Sequence, residues 1–113
     1  MAIELHETTV AICREHFSSM TFDDPDLQGQ ILEVFAQQIE EFRRGVLEQR
    51  DPEAVARLLH RFKGSVRGVG AFALGDALER AEHEIGSGQE AVLADVETCL
   101  EAVSLDLLAL QKS

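Results

Sequence analysis

Tryptophan and tyrosine are absent from this chain, and six phenylalanines are its whole aromatic content. Its core must therefore rest mainly on Leu, Val, Ile and Ala, a helical-bundle composition. Only two prolines occur in 113 residues while hydrophobic residues make up 45%, which argues against disorder and fits one packed domain with a modest core. The two cysteines, Cys13 and Cys99, show no Cys-x-x-Cys or zinc spacing, and their apolar neighbours predict buried free thiols. No stretch approaches the roughly 20 apolar residues that span a bilayer. The start Met1-Ala2-Ile3-Glu4 lacks the basic and then apolar pattern of a signal peptide, so a cytoplasmic, reducing location is expected.

Basic residues are also scarce. Ten Lys and Arg face 21 Asp and Glu, a net charge of −11 that would repel nucleic acid and anionic membranes, so neither is expected as a partner. Acidic residues have a gap of their own. None occurs between Glu53 and Asp76, where four of the ten basic residues lie, namely Arg57, Arg61, Lys63 and Arg67. The pattern predicts a local positive patch suited to an acidic partner site or a phosphoryl group.

Hydrophobic periodicity predicts an all-α chain, an antiparallel up-down four-helix bundle over about 24–111 with an additional N-terminal helix over about 3–20. Asp24-Pro25-Asp26 and Asp51-Pro52 are helix starts, each with a capping carboxylate before a proline. The first bundle helix is expected to bury Leu27, Ile31, Val34, Phe35, Ile39, Phe42, Val46 and Leu47, and to end near Arg50. The second runs from Pro52 to about Gly68, with Val69-Gly70 as the turn. The third turns Phe72, Leu74, Leu78, Ala81 and Ile85 inward and closes at Gly86-Ser87-Gly88. The last begins near Glu90 and buries Val92, Leu93, Val96, Leu100, Val103, Leu107 and Leu110.

Within the second helix, about 100° per residue gathers Val55, Leu58, Leu59, Phe62, Val66 and Val69 on one side. His60, Lys63, Gly64 and Arg67 fall on the other, so His60 points outward. A neutral imidazole is a nucleophile near physiological pH. A phosphoryl group on it would gain negative charge that Lys63 at i+3 can offset. Gly64 at i+4 leaves an open spot for a partner's backbone. A glycine inside a helix costs roughly 1 kcal/mol relative to Ala, so Gly64 and Gly68 call for such a reason. Arg57, Arg61 and Arg67 join Gly64 as candidate partner-binding residues.

The run His60-x-Phe62-Lys63-Gly64-Ser65, then Gly70-Ala71-x-x-Leu74, Leu78 and Glu82 resembles the histidine phosphotransfer (HPt) domains of two-component phosphorelays. The match is sharp from His60 to Glu82 and continues as helix pattern over about 26–110. Leu59 stands where the family usually has a small residue, and Ala81 where it usually has Leu. The resemblance implies that His60 accepts a phosphoryl group from the aspartyl phosphate of a receiver domain and relays it to a response regulator. Receiver domains and a (hybrid) histidine kinase are the implied partners of a monomer. The chain would need no cofactor of its own, with Mg²⁺ on the partner. Glu82 occupies the position from which a family side chain can bond the second ring nitrogen of the histidine.

Other chemistries fit less well. Gly70 to Gly75 follows no strand and no Walker Gly-Lys-Ser/Thr comes after it, so a nucleotide site is excluded, and with no ATP-binding domain the chain is no ATP-dependent kinase on its own. His6 and His16 are not spaced i, i+4 and are read as surface residues, as is His83. Glu79, Glu82 and His83 do not supply the inward Glu-x-x-His pairs of a carboxylate metal bundle. Ser65 at i+5 turns toward the bundle and is a packing residue. The alternative to relay is a non-catalytic helical adaptor that binds receiver domains or kinases without being phosphorylated.

Overall fold

Two Asp-Pro starts and one glycine stop divide the chain into its long helices. A computed structural model describes residues 11–49, 51–88 and 93–112, and its described residues form five helices and no strand. These are α1 (Arg14–Met20), α2 (Pro25–Glu48), α3 (Pro52–Val69), α4 (Phe72–Gly86) and α5 (Ala94–Lys112). Asp24 caps α2 by accepting from Asp26 N–H at 3.0 Å, with Pro25 opening the helix. Asp51 holds the same position before α3 but makes no side-chain cap bond.

Helix α3 stops where it does because Gly70 adopts φ +97°. The Gly70 N–H then donates to Arg67 O at 3.1 Å and Ala71 N–H to Val66 O at 2.8 Å, satisfying carbonyls that the helix leaves free. The chain reverses within two residues, and α4 lies back along α3. Helices α2, α3, α4 and α5 touch in a closed ring, α2 against α3 and α5, and α4 against α3 and α5, while α1 rests on α3.

The core lies inside that ring: Phe35, Ile39 and Phe42 from α2, Leu59, Phe62 and Val66 from α3, Leu74, Leu78 and Ala81 from α4, and Val96, Leu100, Val103 and Leu107 from α5. Phe62 stacks on Phe42 with centroids 4.3 Å apart and on Phe35 at 6.3 Å. Burying a Phe contributes roughly 1.5–3 kcal/mol, and this anchor fixes the rotation of α3. A residue two positions before Phe62 is turned by about 200°, which aims His60 away from the core.

Several expectations need correction. Val34, Leu47 and Phe72 are exposed rather than inward. Val34 stands at the edge of the α2 stripe, Leu47 falls in the last turn of α2, and Phe72 opens α4. Val34 and Leu47 continue the spacing of α2 past the width or length that neighbouring helices cover. Helix α5 starts at Ala94, not near Glu90, and Val92 lies outside the described residues. Residues 3–10, with His6, also lie outside them, and 11–13 are not helical, so the N-terminal helix is shorter than predicted within the described chain. Cys13 and Cys99 are free but only partly buried, and the Cys13 sulfur caps α1 by accepting from His16 N–H.

His16 is not a free surface residue. Its Nε2 donates to Gly68 O at 3.0 Å, and its ring meets the edge of Phe72 at 5.1 Å. Cys13 N–H donates to Gly70 O at 3.0 Å, so α1 is tied to the end of α3. A larger omission from the sequence reading is Asp106 on α5, whose carboxylate is buried. Its Oδ2 accepts from Ile12 N–H at 2.7 Å and Ala11 N–H at 3.0 Å, and Arg14 grips both oxygens at 2.9 and 2.6 Å. Burial alone would raise the Asp106 pKa, yet the Arg14 and backbone bonds hold it below the ordinary carboxylate value.

Candidate functional site

His60 sits in the middle of α3 with its side chain 69% exposed, as the periodicity required. The α3–α4 reversal at Gly70 brings Glu82 of α4 beside it. His60 Nδ1 and Glu82 Oε2 are 2.9 Å apart. A carboxylate can only accept, so Nδ1 donates, and the lone pair of this ring lies on Nε2. Glu82 in turn is held from its other side. Its Oε1 is shielded from solvent and faces the Lys63 ammonium at 2.9 Å. Burial pushes the Glu82 pKa up, but the contacts with Lys63 and His60 outweigh this and keep it below the usual carboxylate range. The carboxylate is charged at neutral pH, so both of its oxygens can only accept.

The sequence places Lys63 on the same outward stripe as His60. Yet its side chain is only 16% exposed and lies between Glu82 and Glu79, whose Oε1 is 3.7 Å away. Arg67 is also engaged, donating to Glu79 Oε1 at 3.3 Å and Asp76 Oδ1 at 3.1 Å, bonds that raise its already high pKa further. The gap in acidic residues around His60 is therefore real along the chain and closed in space. Three α4 carboxylates, Asp76, Glu79 and Glu82, neutralise two of the four cations. Arg57 and Arg61 stay exposed and have no ion-pair partner among the described residues. Positive charge is thus left on the α2-facing flank of His60, where Arg61 and Ser65 line an open groove with Glu41 and Phe42. His83 is exposed, as read from sequence.

Gly64 leaves the predicted opening, since a Cβ built there would meet nothing within 4 Å. The same holds for Gly68 one turn on, so the exposed strip His60, Gly64, Gly68 carries one side chain only. Sequence reasoning missed Asp76 and Glu79 as parts of the site. Their i, i+3 spacing with Glu82 puts all three on one face of α4, a signal that was present but silent about which helix that face meets. Among the described residues no cluster of three or more His, Cys, Asp or Glu side chains could hold a metal, and no helix is long and apolar enough to cross a membrane.

An exposed imidazole with one nitrogen bonded and the other open, beside a bare helix face, can take and return a group carried by another protein. Neither the curated proteins nor the solved structures contain a match to this chain. The family model described as "Hpt domain" does match, over residues 26–112. Domains of that family carry out phosphotransfer in phosphorelays and interact with receiver domains and kinases. With most of its length covered by the match, the chain belongs to the Hpt domain family.

Proposed function

We propose that this chain is a phosphorelay intermediate that carries a phosphoryl group on Nε2 of His60. The carrying observation is the 2.9 Å contact of Nδ1 with Glu82, which leaves the other nitrogen open on an exposed face. In the proposed step the Nε2 lone pair attacks phosphorus of a receiver's aspartyl phosphate. The P–O bond to the aspartate breaks and its electron pair stays on the leaving carboxylate, whose charge a Mg²⁺ held by the receiver would offset. The Nδ1 proton remains on the ring, where Glu82 offsets the charge of the phosphorylated imidazole. Reversal of these events on a response regulator discharges the histidine. The protein brings no cofactor of its own to the step.

Residues 1–113 act as one domain, a cytoplasmic monomer whose long helices form an antiparallel up-down bundle, a reading supported by their closed ring and short connections. Arg57 and Arg61 steer an acidic receiver surface to one flank of His60, and Arg67 assists from the other. Lys63, one turn from His60, holds Glu82 in the resting protein and offsets the phosphoryl charge afterwards. Incubation with Mg²⁺-loaded, phosphorylated receivers, followed by mapping of the modified residue, tests the proposal. Label on His60 supports it, while receiver binding without label would leave the adaptor reading.

Two substitutions separate the parts. Gly64→Gln fills the open spot; it is expected to weaken receiver binding more than tenfold while leaving the melting temperature unchanged or slightly raised, because Gln is the better helix former. A fall in stability with unchanged binding would refute the open-spot role. Lys63→Ala is expected to slow transfer or shorten the phosphohistidine lifetime roughly three- to tenfold. Unchanged values of both would remove Lys63 from the mechanism.

A further inference from the structure

One carboxylate at the site has no role in the relay chemistry described so far. Glu79 Oε1 is 3.7 Å from the Lys63 ammonium and 3.3 Å from Arg67 Nη1, while Glu82 Oε1 is 2.9 Å from the same ammonium. Lys63 is thus held between two carboxylates, and Glu79 between two cations. Arg67 reaches Glu79 by lying across Gly75, where a Cβ would fall 2.6 Å from Arg67 Cγ. Its other terminal nitrogen is tied to Asp76 at 3.1 Å. A carboxylate already paired with a guanidinium attracts an ammonium less than a bare one does.

Taking His60 as the phosphorylated residue, we propose that Glu79 is a positioning residue that competes with the phosphoryl group for Lys63, and that Arg67 sets the strength of this competition. Phosphorylation places close to two negative charges on Nε2, one turn from Lys63. The phosphoryl oxygens then draw the ammonium outward, against the pull of Glu79 and Glu82. In hydrolysis a water oxygen bonds to phosphorus and the Nε2–P bond breaks. Its electron pair returns to Nε2, and both protons of the water leave with the inorganic phosphate. The transition state is loose, and the phosphoryl oxygens push electron density toward phosphorus to expel the imidazole. An ammonium drawing on the same charge slows that departure. The more Lys63 is held by Glu79, the shorter the phosphohistidine lives.

The test uses the whole chain phosphorylated with phosphoramidate and freed of donor, with loss of the phosphoryl group followed by intact mass and ³¹P NMR. Glu79→Gln is expected to lengthen the lifetime roughly 1.5- to fivefold, the range for solvent-facing ion pairs. Arg67→Gln should shorten it by a similar factor, because the released Glu79 takes more of Lys63. The double variant should behave like Glu79→Gln, since Arg67 acts through Glu79. A merely structural role would move both single variants the same way. Changes of one sign, no change, or a double variant resembling Arg67→Gln would overturn the proposal. A wild-type chain that takes no label on His60 overturns the relay reading itself, and the competition falls with it.

Discussion

His60→Gln abolishes labelling by a phosphorylated receiver and leaves the bundle intact. The side chain is 69% exposed and, among the described residues, its hydrogen-bond partner is Glu82, so the core is untouched. An exposed substitution of this kind shifts stability by about 0.5 kcal/mol or less. The effect on function is total because, among the described residues, no other group stands at the open nitrogen's position with a bonded Nδ1 behind it. Transfer assays with radiolabelled receiver, alongside thermal unfolding, measure both. Label that survives at full stoichiometry would move the acceptor to His6, His16 or His83. Of these, His16 has its Nε2 engaged with Gly68 O, which would leave only Nδ1 to accept.

The largest effect on stability is expected at Asp106, the buried carboxylate of α5 that anchors the segment before α1. Asp106→Ala removes a carboxylate that is 4% exposed and leaves the Ala11 and Ile12 N–H groups without their acceptor. Breaking a buried charge pair costs about 3–5 kcal/mol. Arg14 is 45% exposed and regains water, so about 2–4 kcal/mol is expected here. In a domain of this size that lowers the melting temperature by roughly 8–20 °C. A loss under about 0.5 kcal/mol in urea unfolding would show that the segment at 11–14 is not anchored there.

The same residue gives stability a pH dependence. The folded-state pKa of Asp106 is depressed, so its contribution is complete above the unfolded value of about 3.9 and fades as pH falls through the folded value. Glu82 is shifted in the same direction and adds to the slope. Wild-type stability should therefore drop on acidification below about pH 5, and Asp106→Asn should flatten that drop. Its His60 labelling at neutral pH should persist, because Asp106 acts on α1 and not on the His60–Glu82 pair.

The outward aim of His60, the bare spot at Gly64, the Asp-Pro starts and the Gly70 stop were legible in the sequence. Each depends on the periodicity of one helix or on the conformational preference of one residue, and such properties act over a few positions. Phe62 shows the link: its inward place in α3 could be read from spacing, and that place alone turns His60 outward.

Other features were decided by which helix faces meet. A gap in acidic residues from 54 to 75 predicted free positive charge around His60, but Asp76, Glu79 and Glu82 of α4 close over Lys63 and Arg67. Asp106 looked like one more charge on an acidic chain until the structure joined it to Arg14, 92 positions away. Val34, Leu47 and Phe72 followed their helical spacing faithfully and are still exposed, Phe72 even though the His16 ring meets it. Angular position within a helix is written locally. Whether that direction meets a partner helix, a counter-charge or water depends on the rotation and reach of segments far along the chain, which only packing of the whole bundle sets.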